Sequence, residues 1–323
     1  MDWDAVFGGG ALVALLSTAL RLAIPTALAA VGECFAERAG VLNLGLEGMM
    51  IAGALFGFVG TYQSGSATVG VLAGVAAGIV LGAAMAFLSV TLKTEQVING
   101  IAIVLFATGM SAFIYSEIFA GTSQQPRIER LPEIEIPLLR DIPVLGEVLF
   151  QQNALFYLSV AVIAVLSLVL YKSRFGLAVR AVGEKPTAAD AAAIGVDRMR
   201  WYSLLLCGGL AGLGGAVLII GQVGVYGANV TAGRGWVAIA LVIFGRWNPL
   251  LIAAGALLFG FTDALQLRIQ AAGGGINSSV PYEVFQALPY VVTLSVMVAA
   301  TVWMRNTAQP SALGIPFRKE STE

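Results

Sequence analysis

The sequence predicts an all-α, polytopic membrane protein, and three observations carry that prediction. Of 323 residues, 58% are hydrophobic and only 11% are charged, where a soluble domain carries about 25% charged residues. Mean hydropathy is +0.86. Apolar runs of about 20 residues recur along nearly the whole chain, and each spans roughly 30 Å of hydrocarbon as a helix. A β-barrel would show short alternating segments instead. The 39 glycines suit close packing between helices in lipid.

The same composition excludes several functions. A net charge of −1 gives no footprint for a nucleic acid polymer. The chain has no His, which removes the commonest metal ligand and any nucleophile–His–acid set. Cys34 and Cys207 each stand alone in apolar segments and read as small packing side chains, not as a disulfide or metal site. The N-terminus MDWDAVFGGG lacks the basic n-region of a cleavable signal peptide. No phosphate loop of the G-x-x-x-x-G-K-[ST] type is present. The expectation is a membrane protein with no catalytic residues and no bound metal or cofactor.

About nine crossings are expected. Leu12 to Gly32 is the first apolar segment, with Arg21 inside it and Pro25 after it; its first turns are expected along the interface and the crossing proper from about Leu22 to Phe35. Glu33, Glu37 and Arg38 read as a polar boundary. The second crossing, Gly40 to Thr61, opens on GVLNLGLEG, a polar, Gly-rich start that reads as a helix break. Val69–Leu92 and Val97–Phe119 follow. Residues 120–153 carry three basic and five acidic residues and four prolines, and read as an ordered extramembrane loop with little helix. Leu155–Tyr171 is the fifth crossing and Trp201–Val225 the sixth. A short seventh, from Trp236 to Phe244, is approached through TAGRG; Leu250–Leu267 and Val284–Met304 complete the set.

Between the fifth and sixth crossings, Lys172–Arg200 holds six Lys/Arg against three Asp/Glu. Within it Glu184-Lys185-Pro186-Thr187 reads as a helix start, because Pro is tolerated where backbone N–H groups lack partners. A short helix over Lys185–Ile194 is expected, closed by Gly195 in a left-handed cap. Its small residues would let another protein approach closely, which makes it a docking element for a cytoplasmic partner; an ordinary cytoplasmic loop is the plain alternative. Placing this basic loop in the cytoplasm puts Arg38, Lys93, Arg246, Arg305 and the C-terminus inside, and the acidic N-terminus and the 120–153 loop outside. Arg234 and Arg268 are exceptions.

EGMMIAGALFGFVGT from Glu47 resembles GRGWVAIALVIFGRW from Gly233, and each precedes a small-residue crossing, from Val71 and from Leu250. Two four-span halves, about 20–119 and 201–304, joined by one extra span, would be inverted repeats, with a solute path at their interface. One permease domain, 1–323, contains both.

Candidate path residues follow from polarity inside the crossings. Asn43 and Glu47 share a face if helix runs through both. An intramembrane carboxylate costs at least about 2.5 kcal/mol, so Glu47 either lines the path or caps backbone N–H groups at the break. Gln96 and Asn99 line the path or cap a helix end. Gln222, Tyr226 and Asn229, with Arg234 and Trp236, form a polar–aromatic group that would receive a ring-bearing solute or anchor the interface. Asp263 and Gln266 are expected to pair across helices.

ERAGVLNLGLEGMMIAGA (Glu37–Ala54), EQVINGIAI (Glu95–Ile103), FGLAVRAVGEKPTAADAAAIGV (Phe175–Val196) and GRGWVAIALVIFGRWNP (Gly233–Pro249) together resemble the permease subunits of bacterial ABC importers. The family is that of branched-chain amino-acid and ribose permeases, and the pattern is most similar to its nucleoside/simple-sugar branch. The resemblance spans about residues 20–305. Compared with ribose-type permeases the chain is expected to lack an additional N-terminal span, which leaves open whether residues 1–20 span the membrane or lie on it. The resemblance implies a coupling helix within Phe175–Val196, drawing on Arg180, Glu184, Lys185, Pro186, Ala188, Ala189, Ala192, Ile194 and Gly195. It also implies a cytoplasmic ATP-binding subunit holding ATP and Mg, a second related permease subunit in a heterodimer, and an external binding protein or lipoprotein. The expected activity is nucleoside import across the bacterial inner membrane by alternating access. Simple sugars, riboflavin or branched-chain amino acids are alternative cargoes, and an ion-coupled secondary carrier is the more distant alternative.

Overall fold

The computed structural model describes residues 9–122, 124–135, 142–227 and 229–272, scattered positions between 287 and 298, and 309–318. The described residues are mostly helical. Helix α1 runs Gly9–Arg38, α2 Leu46–Ser64, α3 Ala67–Ala86 with a π-helical end at Phe87–Thr91, and α4 Gln96–Ile118. A two-stranded antiparallel hairpin pairs β1 (Glu133–Glu135) with β2 (Gln151–Asn153), with the short α5 (Leu145–Phe150) between them. Then come α6 (Ala154–Lys172), α7 (Arg174–Glu184), α8 (Pro186–Ala191), α9 (Val196–Leu218) with a π-helical end at Ile219–Val223, α10 (Arg234–Phe244) and α11 (Pro249–Ala272).

Six of the described helices are long and apolar enough to cross a membrane: α1, α3, α4, α6, α9 and α11. This is a multi-pass membrane protein. The expected ninth crossing, Val284–Met304, lies mostly outside the described residues; the described positions from 287 to 298 are helical. Among its described residues the 120–153 loop holds little helix, α5 alone, as expected.

Helices α1, α2 and α9 pack together at the centre, with α3 laid against α9 and α2, and α11 against α1. Glycine makes this approach possible. A Cβ on Gly78 of α3 would overlap the carbonyl oxygen of Gly208 in α9, and one on Gly53 of α2 would overlap the backbone of Gly212. With no water to expel between helices in lipid, such backbone contact supplies the packing that holds them.

Three expectations are corrected. First, the first apolar segment does not break where the crossing proper was expected to begin, near Leu22: α1 is one continuous helix through Pro25. Pro25 has no N–H to give the carbonyl of Arg21, and Gln222 Nε2 donates to that oxygen instead, at 2.6 Å. Second, the polar boundary expected at Glu33 and Glu37 is enclosed by the protein. Both lie inside α1 and are buried, at 0% and 1% exposure. Third, Gly195 does not cap the loop helix. The left-handed residue is Ala193, at φ +58°, while Gly195 has φ −67° and precedes α9. Ala193 N–H donates to Asp190 O and Ile194 N–H to Ala189 O, a Schellman closure. Ile194 then packs on the Val182–Ala189–Val196 cluster, which offsets the cost of an alanine in that conformation. The helix around Pro186 is also shorter than expected, ending at Ala191, and a longer amphipathic helix, α7, precedes it.

Candidate functional site: a junction of two helix starts beside a polar cavity

Glu47 lies in the first turn of α2, 6% exposed. Its Oε1 accepts from the Thr231 hydroxyl at 2.5 Å and from Gly233 N–H at 3.1 Å; its Oε2 accepts from Gly235 N–H at 2.6 Å. Gly233 is left-handed at φ +78° and precedes α10, so these are the N–H groups that a helix start leaves without partners. One carboxylate therefore joins the starts of α2 and α10, which also favour negative charge. Any side chain at position 235 would sit 2.5 Å from the Glu47 backbone. The two segments whose sequences resemble each other thus meet N-terminus to N-terminus.

Beside this junction is a cavity of about 280 Å³ lined by Asn229, Arg234, Phe259, Asp263, Gln266 and Tyr290, among others. Arg234 Nη2 and Asp263 Oδ2 form an ion pair at 2.6 Å, with side chains only 12% and 15% exposed. Asp263 therefore pairs across helices as expected, with Arg234 of α10. Phe259 and Tyr290 meet edge to face at 5.9 Å, and the Tyr290 hydroxyl donates to Ala232 O. Arg234 Nε is buried with no hydrogen-bond partner among the described residues. The lining offers aromatic faces, amide groups and a compensated charge pair, which suits a neutral polar solute.

The other candidates do not converge on this cavity. Asn43 is fully buried: its N–H donates to Glu33 Oε1 at 2.9 Å, and its Oδ1 accepts from Gly45 N–H at 3.0 Å. Gln96 Oε1 accepts from Leu42 N–H at 2.8 Å. Together these two fix the irregular turn before α2. Asn99 Nδ2 donates to the hydroxyls of Ser89 and Thr94, while the cap of α4 is Glu95. Gln222 serves Arg21 O, as described above. Tyr226 is buried against the rings of Phe58 and Tyr115, and Trp236 is 43% exposed. Thus the expected group splits: Asn229 and Arg234 line the cavity, and Gln222, Tyr226 and Trp236 do not.

Sequence reasoning missed Glu33 and Thr231. Glu33 Oε2 accepts from the Cys207 thiol at 3.3 Å, so Cys207 is more than a filler. The spacing of Glu33 and Glu37, four apart on one helix face inside an apolar run, is the feature that marks them. Arg21 is likewise accounted for: it pairs with Glu133 at 2.6 Å and donates to Gln152 Oε1 at 2.8 Å, tying the β hairpin to α1. Among the described residues no three His, Cys, Asp or Glu side chains group to hold a metal.

In the basic loop, Lys185, Ala188 and Ala192 are exposed and Pro186 partly so, whereas Ala189 is buried at 4% exposure beneath Val182 and Val196. Ala189 and Ile194 therefore hold α8 in place, and Ala188 and Ala192 form its outer face. Arg180 lies over the Tyr171 ring at 5.4 Å, and Glu184 Oε2 accepts from the Ser311 hydroxyl at 3.1 Å.

Residues 15–301 match the family model described as branched-chain amino acid transport system / permease component. The chain belongs to that family. It is 36% identical to a permease protein of Haloferax volcanii whose name provisionally assigns it to a glucose ABC transporter, over 95% of this chain and 98% of the relative. It is 32% identical to a nucleoside ABC transporter permease protein of Lactococcus lactis and 34% identical to a guanosine ABC transporter permease protein of Bacillus subtilis, each over 94% of this chain and 96% of the relative. No solved structure matches. The chain is thus an ABC transporter permease, a transport subunit and not an enzyme.

Proposed function

We propose that this permease imports nucleosides by alternating access, with the cavity beside the α2–α10 junction as part of the path. The observation that carries the reading is the pairing of Phe259 and Tyr290 rings with Asn229, Gln266 and Arg234 around one cavity. A nucleobase offers a flat face and ring nitrogens, and a ribose offers hydroxyls; aromatic surface and amide groups meet both. The names of the Lactococcus and Bacillus relatives support the same cargo. The Haloferax relative, named for glucose, favours a second reading in which the amide and charged groups hold a simple sugar. Uptake of labelled guanosine into cells expressing the complete transporter, competed with glucose, separates the two. Competition by other nucleosides supports the nucleoside reading, and competition by glucose alone transfers the assignment to sugar.

In this reading about nine spans form a single permease domain, with inverted halves near 20–119 and 201–304. The meeting of α2 and α10 at Glu47 supports that symmetry. Asn43, Glu47, Gln96, Asn99, Gln222, Tyr226 and Trp236 act by holding the walls of the path, and Asn229 and Asp263 by lining it. Residues 172–200 face the cytoplasm, as does the C-terminus, and the N-terminus and the 120–153 loop face outward. A separate subunit binds ATP and Mg and docks on the outer face of α8, with Lys185, Pro186, Ala188 and Ala192 in contact. A second permease subunit completes the path, and an external binding protein delivers solute.

A further inference from the structure

The C-terminal segment has no apolar run and no motif, yet residues 309–318 are held by a set of backbone bonds that reach two different elements. Ala312 N–H donates to Gly183 O at the end of α7 (2.9 Å), and Gly314 N–H donates to Gly40 O in the turn between α1 and α2 (3.2 Å). Arg200, at the start of α9 and 2% exposed, closes the arrangement. Its Nε donates to Ala39 O at 3.2 Å and its Nη1 to Ile315 O at 2.9 Å. Gly40 is left-handed at φ +87°, and a Cβ there would lie 3.0 Å from both Ala312 O and Arg200 Nη2. On its other side the segment places Phe317 against the Val182–Ala189–Val196 cluster beneath α8.

From the 38–43 turn the contacts continue inward. Leu42 N–H is held by Gln96, Asn43 N–H by Glu33, and Glu47 then joins α2 to α10 at the cavity. A buried guanidinium bonded to two main-chain oxygens is an expensive way to anchor a loose tail. It suits a member that must carry force.

We propose that residues 310–317 and Arg200 form a brace that makes α7–α8 and the α1–α2 turn move as one, so that displacement of α8 reaches the site. Arg200 is a positioning residue in this account. The inference rests on the reading of α8 as the ATPase-docking element.

The test uses the complete transporter in proteoliposomes, with transport read on complexes that keep Ala192 and capture read on parallel samples of the same complexes that carry a photo-cross-linking residue at position 192. Capture of the ATP-binding subunit from position 192 in the otherwise unchanged complex checks the docking reading separately, and no capture there overturns that reading and the brace with it. Truncation after residue 308 and the single change Arg200→Gln are then compared by solute imported per ATP hydrolysed, a ratio that does not depend on how much complex folds. The brace predicts at least a fivefold fall in that ratio in both variants, with capture retained. An unchanged ratio would overturn the brace and leave docking intact. Loss of capture on truncation would also overturn it, because the segment would then be part of the docking face itself.

Discussion

Replacing Glu47 with Gln changes one atom pair and isolates the role of the carboxylate. The present side chain accepts three hydrogen bonds, from the Thr231 hydroxyl, Gly233 N–H and Gly235 N–H. Gln retains one acceptor oxygen and presents an NH₂ where the other oxygen stood, so a backbone N–H of α10 faces a donor. A buried donor without a partner costs about 1–3 kcal/mol. Loss of negative charge at a helix start adds about 0.3–1 kcal/mol at exposed sites and up to about 2 in partly buried ones. The sum is roughly 1–5 kcal/mol of lost coupling between α2 and α10. Thr231→Val removes one of the same bonds, so the two changes should be non-additive when combined. The assay is thermal unfolding of the purified complex alongside initial uptake rates. Glu47→Gln should lower the midpoint and reduce uptake at least tenfold, and Glu47→Gln/Thr231→Val should cost less than the sum of the single changes. Full uptake with an unchanged midpoint, or strict additivity, would refute the junction.

The remaining predictions address packing, α1 and the loop. Gly78→Leu puts a side chain into the Gly208 backbone and should abolish recovery of folded protein from the membrane, read by monodisperse yield in detergent; the same change at Gly109, which has open space around it, should not. Gln222→Leu leaves Arg21 O without a donor and should destabilise by about 1–3 kcal/mol, and Pro25→Ala, by restoring the helix N–H, should recover most of that in thermal melts of the double variant. Ala192→Trp on the outer face of α8 should leave membrane insertion intact while ATP hydrolysis by the assembled complex no longer drives uptake.

The spans were legible because bilayer thickness sets their length and continuous apolar runs report it: α3, α4, α6 and α11 lie within a few residues of the expected segments. The short α10 was legible from its glycine-rich approach. What escaped depended on partners remote in sequence. Pro25 reads as a break until Gln222, 201 residues from Arg21, supplies the missing donor. Glu33 and Glu37 read as a boundary because a hydropathy window sees only charge, whereas Cys207 and Trp247 are what accommodate them inside. The tail attaches largely through main-chain atoms, which carry no side-chain signature, so little in its composition marks it. At the site, Asn229 and Asp263 were visible as polar residues in apolar surroundings, but which polar residues face a cavity and which fasten a turn is decided by helix rotation, and periodicity in small, uniformly apolar helices does not report it.

The central claim is that this chain provides a passage whose driving force comes from another subunit. It is tested most directly by reconstituting the complete transporter with and without its ATP-binding subunit, and this chain by itself, and measuring guanosine entry under imposed ion gradients and under ATP. The account predicts entry only when the partner and ATP are both present. Accumulation by this chain alone, driven by a gradient, would contradict it.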